Sequence, residues 1–167
     1  PSNSYVSKDA LKEVEKCYPL KVMVCDHCWL VQTEDFVKAD TMFASDYAYF
    51  SSYSTSWLDH AKDYVDKVSS KFYLNNMSKV VEVAANDGYL LQYIRDKNIP
   101  CYGIEPTYGT AQAAREKGIE IVEDFFGVDL ACRLEKQGRQ ADLMIANNVL
   151  AHVPDINDFV KGFSIML

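Results

Sequence analysis

The sequence predicts an α/β fold, a parallel sheet with helices on both faces. From Lys79 onward, short apolar runs alternate with amphipathic segments of helical period, the rhythm of strands buried on two sides. The runs are separated by polar turns, such as Asn86-Asp87-Gly88 after the first and Asn147-Asn148 after the fourth. At 49% hydrophobic and 25% charged residues, the chain has enough apolar material to fill one core.

The elements follow in order. Residues 18–25 alternate apolar and polar, break at Asp26-His27, and resume at Trp29-Leu30-Val31, which predicts two short strands around a Cys25-Asp26-His27-Cys28 turn. Residues 36–56 are rich in Tyr, Phe, Ser and Thr and read as an aromatic-lined connection with some helix. Trp57, Ala61, Tyr64, Val65, Val68 and Phe72 recur at three and four residues, a helical face with Ser56 as its expected N-cap and Asn75-Asn76 as its end. Strands are then expected at 80–84, 100–104, 119–122 and 143–146. Helices are expected around 90–94, 107–117, 130–137 and 154–163, two of them closed by Gly118 and Gly138. The chain stops at Leu167 after about four strands, which predicts a truncated sheet.

Charge and cysteine usage narrow the classes. A net charge of -7 disfavours a nucleic-acid backbone as partner, because that affinity comes from Lys and Arg neutralising phosphates. No run approaches the roughly 20 apolar residues of a membrane span, and no signal peptide is expected, so a cytoplasmic location is the default. Five scattered cysteines make a poor disulfide framework.

The strongest chemical signal follows the first long strand. In Glu82-Val83-Ala84-Ala85-Asn86-Asp87-Gly88, a tight turn would aim backbone N–H groups into the crevice above the sheet. Ala84 and Asn86 stand where two glycines of a dinucleotide fingerprint would fall, so a pyrophosphate would meet side chains and the charge of Asp87; NAD is disfavoured. Gly88 would admit close backbone approach, and Asp87 would order the turn or reach the ligand. Glu105 ends the second strand, where an acid can accept both hydrogen bonds of a ribose diol. Asp124 and Phe125 follow the third, suited to an adenine amine and its ring face. Asn147 and His152 follow the fourth. Each group alone has a plain structural role as a turn, core or cap residue. Their joint placement at one sheet edge points to a nucleotide-like cofactor.

Cys25 and Cys28 have the spacing of one zinc knuckle, half of a four-ligand structural site. A redox dithiol is the rival, although such pairs sit at helix amino ends and these flanks read as strands. A cysteine pair without metal also remains open.

On these motifs the chain resembles the zinc-domain, S-adenosylmethionine (SAM)-dependent C-methyltransferases that act on nucleotide-linked deoxysugars. The stretches that carry the resemblance are YPLKVMVCDHCWLVQ, DYAYFSSYSTSWLDHAKDY, VVEVAANDGYLLQY, YGIEPT and ADLMIANNVLAHVPDINDFV, in the family's order. The resemblance implies a Rossmann-like methyltransferase sheet, truncated, with a partial N-terminal zinc-binding module. It divides the chain into a partial zinc-binding module at 1–35, an aromatic-rich connection and helix at 36–78, and the N-terminal part of the SAM-binding domain at 79–167. It implies that Glu82, Asn86, Asp87 and Gly88 surround the methionine part of SAM, that Glu105 holds the ribose, that Asp124 and Phe125 face the adenine, and that Asn147 lines the cofactor cleft. Tyr47, with Tyr49 or Tyr53 as neighbouring alternatives, and His152 match active-site residues near the sugar, and Cys25 and Cys28 match zinc ligands. The family's first cysteine pair and its carboxyl-side Tyr–Glu–His cluster have no counterpart here, so this chain is expected to be an incomplete, inactive fragment.

The chemistry so implied removes a proton beside the ketone of a 4-keto-6-deoxysugar, giving an enolate that attacks the sulfonium methyl. Hydrogen-bond donors aimed at the ketone oxygen would stabilise the developing charge. A tyrosine acting as base near neutrality would need a substantially lowered pKa. Two other readings remain: a methyltransferase with another small-molecule acceptor, and a zinc-containing interaction protein without catalysis.

Overall fold

Runs rich in Val and Ile become strands where both faces are covered, and the computed structural model describes this for residues 6–14, 17–34, 36–37, 42–43 and 47–167. Other parts of the 36–56 connection lie outside the described residues. A short hairpin comes first, β1 (Val22–Val24) with β2 (Val31–Thr33), antiparallel with Val24 opposite Val31. A long helix follows, α1 (Thr55–Lys71). The main sheet alternates strand and helix: β3 (Val80–Val83), α2 (Leu91–Asp96), β4 (Cys101–Ile104), α3 (Tyr108–Glu116), β5 (Glu120–Val122), α4 (Val128–Lys136), β6 (Leu143–Ile145) and α5 (Ile156–Met166).

The α/β class is borne out. The four main strands run parallel in the order β5-β4-β3-β6. After β3 the chain moves outward through β4 and β5, then returns to set β6 on the opposite side of β3. That reversal opens a crevice at the carboxyl ends of β3 and β6, the place where open α/β sheets bind ligands.

Both faces are covered, as the apolar runs require. Val80, Ile121 and Ile145 pack with Ala61 and Val65 of α1, Leu91 and Ile94 of α2, and Ala111 and Ala114 of α3. Val81, Val83, Tyr102 and Ile104 pack with Leu130, Ala131 and Leu134 of α4 and with Phe159 and Met166 of α5. Alternation along β3 therefore sends Glu82 to the same face as Val80, into the layer of α1, α2 and α3. Among the described residues, no helix is long and apolar enough to cross a membrane.

Several boundaries differ from expectation for local reasons. The N-cap of α1 is Ser54, whose Oγ accepts the Trp57 N–H at 3.3 Å, while Ser56 lies inside the helix with its hydroxyl 3.2 Å from that of Ser54. The same helix stops at Lys71, because Tyr73 takes a left-handed φ of 55° and Leu74 donates back to the Ser69 carbonyl at 2.9 Å. Strand β3 ends at Val83 because Ala84 turns to a φ of 57°. Asp155 caps α5 by accepting the N–H groups of Asn157 and Asp158 at 3.0 and 2.9 Å.

Candidate functional site

The turn after β3 is built from three left-handed residues, Ala84 at φ 57°, Asn86 at 50° and Gly88 at 73°. Ala84 and Asn86 thus take positive φ where a dinucleotide fingerprint would place glycines. A left-handed alanine costs roughly 1–2 kcal/mol, and the surroundings hold it there. Ala85 N–H donates to the Ile104 carbonyl at 3.2 Å, and Asn86 N–H donates to Glu105 Oε2 at 3.0 Å. Gly88 makes a close approach within the protein itself. A Cβ there would lie 2.4 Å from Ile119 Cδ1 and 3.2 Å from Ala114 Cβ, so the glycine seats the turn against the α3 layer.

Glu105 is buried at the end of β4, and its second oxygen accepts the Thr107 N–H at 3.0 Å. Each carboxylate oxygen has more than one acceptor position, so Glu105 retains capacity toward the cleft that it lines.

Asn86 and Asp87 tie the turn to the segment before α1. Asn86 Oδ1 accepts the Ser51 N–H at 2.9 Å, and Asn86 Nδ2 donates to the Tyr49 carbonyl at 3.1 Å. Asp87 Oδ2 accepts the Ser52 N–H at 3.3 Å and pairs with Lys117 Nζ at 3.2 Å. Of the two roles open to Asp87, ordering the turn is the one its contacts display.

Glu82 is fully buried, with neither carboxylate oxygen hydrogen-bonded; Asp87 Oδ1 is likewise buried without a partner. Burial drives the Glu82 carboxyl well above its ordinary value, and the nearby charges of Glu105 and Asp87 push the same way. An interaction with Tyr89 opposes the rise but falls outside hydrogen-bond geometry, and burial prevails.

A cleft of about 1360 Å³ opens at this sheet edge, lined by Tyr47, Asn86, Glu105, Asp124, Phe125, Asn147 and His152 among others. Seven residues singled out in the sequence therefore meet on one surface, while Glu82, Asp87 and Gly88 lie outside its lining. Asp124 accepts from the Phe125 N–H at 2.8 Å and is ion-paired with Arg133. Phe125 exposes 43% of its surface, a high value for a phenylalanine beside a cleft. Tyr47 lies close enough to Glu105 for its phenol to be affected: burial first, then the charges of Glu105 and Tyr49, raise its pKa. His152 is exposed, in the 3-10 turn Leu150–His152.

Sequence reasoning missed Tyr89, Trp57 and Lys117. Tyr89 is buried, lines the cleft and stacks with Trp57 at 6.0 Å between ring centroids. Its place directly after Asn86-Asp87-Gly88 was a usable signal. Nothing near Lys117 in the sequence links it to the turn.

In the hairpin, the Cys25 N–H donates to the Leu30 carbonyl at 2.9 Å and Trp29 N–H to the Cys25 carbonyl at 3.0 Å, with Trp29 at φ 64°. This closes a tight knuckle. The N–H groups of Cys28 and then His27 lower the Cys25 thiol pKa. Among the described residues no group of three or more His, Cys, Asp or Glu stands together.

The parallel sheet with its crevice at the β3/β6 reversal has the fold of solved SAM-dependent methyltransferases. DesVI of Streptomyces venezuelae aligns with a TM-score of 0.52 at 17% identity, over 69% of this chain and 48% of that one. A SAM-dependent methyltransferase from Archaeoglobus fulgidus gives 0.52 at 15%, over 65% and 48%. Magnesium protoporphyrin IX methyltransferase of Synechocystis PCC 6803, with bound SAM, gives 0.52 at 13%, over 80% and 74%. Residues 81–167, more than half of the chain, match the family model described as "Methyltransferase domain", and the chain belongs to that family. Residues 1–43 match a model described as "Putative zinc binding domain". A curated relative, C-methyltransferase NovU of Streptomyces niveus, is 28% identical over 153 residues, covering 92% of this chain. The chain spans about a third of that relative's length, 36%.

Proposed function

We propose that the chain forms the cofactor-holding part of a SAM-dependent C-methyltransferase whose acceptor is a nucleotide-linked 4-keto-6-deoxysugar. The observation that carries this reading is the convergence of Tyr47, Glu105, Asp124, Phe125, Asn147 and His152 on one cleft at the carboxyl edge of the sheet. The name of the curated relative supports transfer to carbon, and the motif resemblance supports the sugar.

The residues present fit the cofactor. Asn86 lines the cleft on the turn after β3, the side that the motif resemblance gives to the methionine part of the cofactor. Glu105 keeps acceptor positions for a ribose diol while it anchors the turn. Phe125 offers a ring face to adenine, and Arg133 holds the Asp124 carboxylate beside it. S-adenosylmethionine, when bound, supplies a methyl group on a cationic sulfur.

Tyr47 works as a donor in this reading. Its raised pKa is the reverse of what a tyrosine base needs, so the phenol keeps its proton and steadies the ketone oxygen as charge develops there. His152 presents an imidazole at the same cleft, where it accepts or returns the proton beside the ketone. Cys25 and Cys28 would hold zinc together with two further ligands; no chemical step depends on it.

Calorimetry of the full-length protein with SAM or S-adenosylhomocysteine tests the cofactor, and absence of binding by folded protein rejects it. Product analysis with keto and non-keto sugar nucleotides tests the acceptor. Methylation of oxygen or nitrogen instead of carbon would overturn C-methylation.

A further inference from the structure

Lys117 lies just beyond α3 and outside the cleft lining, yet its ammonium meets both halves of the site. It donates to Ser52 Oγ at 2.6 Å and to the Asp87 carbonyl at 2.6 Å, and it pairs with Asp87 Oδ2 at 3.2 Å. An ammonium has three donors, and here three acceptors meet it. Asp87 is 2% exposed and the Lys117 side chain 30%, so these charge-assisted contacts are sheltered at the carboxylate and partly screened by water at the ammonium. The same two strands of chain are joined twice more by Asn86, through Ser51 N–H and the Tyr49 carbonyl. Ile119, two residues on, is the group against which Gly88 packs.

We propose that Lys117 is a positioning residue that couples the cofactor turn at 84–88 to the segment carrying Tyr47 and Tyr49, so that filling the cofactor site orders the acceptor side of the cleft. The inference rests on the cofactor reading above. Removing the ammonium strips Asp87 of its counter-charge and frees Ser52 Oγ, leaving the segment held by the Ser52 N–H at 3.3 Å and by the two Asn86 bonds at 2.9 and 3.1 Å. The turn itself keeps its hold through Glu105 and Gly88, so cofactor contacts persist while the acceptor segment loosens. Cofactor would accordingly bind before acceptor in the intact enzyme.

The test is amide hydrogen exchange at Ser51 and Ser52 in the full-length protein, with and without saturating S-adenosylhomocysteine. In the wild type the ligand should slow exchange at both amides by about tenfold or more, the response of a local opening that binding suppresses. K117M should bind the ligand within about threefold of wild type, because the open form is a minor state, and should lose that slowing. S52A, which deletes only the hydroxyl leg, should lose part of it and serves if K117M does not fold. Ligand binding with the slowing intact in K117M, or in S52A where K117M is unfolded, overturns the coupling and leaves the cofactor reading standing. Failure of the folded wild type to bind S-adenosylhomocysteine at all overturns both.

Discussion

Glu105 reaches from the end of β4 to accept the Asn86 N–H at 3.0 Å, fastening the turn after β3 to the neighbouring strand. Its other oxygen accepts Thr107 N–H at the same distance, ahead of α3. One carboxylate therefore shapes the crevice, and in the proposed function it also offers acceptors to a ribose. Glu105→Ala should cost about 3 kcal/mol of stability, the scale of buried hydrogen bonds to a charged group left unmade, and also weaken cofactor binding. Urea unfolding beside calorimetry checks both; a stability loss below about 0.5 kcal/mol would contradict the structural half.

Gly88 and Ile119 form a second coupled pair. Gly88→Ala places a Cβ 2.4 Å from Ile119 Cδ1 at a φ of 73° and should cost about 2–4 kcal/mol, overpacking added to left-handed strain. Ile119→Val removes the Cδ1. In the Gly88 variant it should restore about 1 kcal/mol or more, measured as the coupling of a double-mutant cycle. Simple additivity would show that the contact relaxes without cost.

The buried Glu82 carboxyl sets a pH dependence whose sign follows from its raised pKa. The unfolded chain releases this proton near the ordinary value of 4.5, while the folded chain keeps it to higher pH. Unfolding then releases a proton, so stability present at low pH is lost as pH rises from about 4.5 through the folded-state pKa. Glu82→Gln stays neutral and escapes that loss, so its stability advantage over wild type should widen with pH. Unfolding curves between about pH 4 and 8 test this, and a gap independent of pH would count against a protonated Glu82.

The knuckle of the hairpin gives a prediction about metal. The N–H groups of Cys28 and His27 favour the Cys25 thiolate, the form that binds zinc. Full-length protein should carry zinc that Cys25→Ser or Cys28→Ser removes, with a large loss of hairpin stability, since structural zinc contributes on the order of 10 kcal/mol. Elemental analysis of the purified protein decides it; zinc retained in both variants would place the metal elsewhere.

Much of the site was legible because strand ends are legible. Where Val80-Val81-Glu82-Val83 gives way to Ala84-Ala85-Asn86, burial on both faces yields to polar turn residues, and Glu105, Asp124 and Asn147 follow in the same pattern. The turn's left-handed geometry was harder to see, because Ala84 and Asn86 lack the mark that glycine leaves. Ser54 and Ser56 carry the same capping chemistry, and the choice between them depended on where α1 packs.

By itself, the sequence determined the α/β class, the strand and helix order and part of the cleft lining, because period and turn chemistry are local properties. Only the tertiary structure decided that β6 returns beside β3, that Glu82 is sealed in a layer of helices, and that Lys117 joins Asp87 to Ser52. Those facts depend on residues distant in the chain meeting in a shared low-dielectric interior, where pairing and protonation are set by neighbours that no local pattern names.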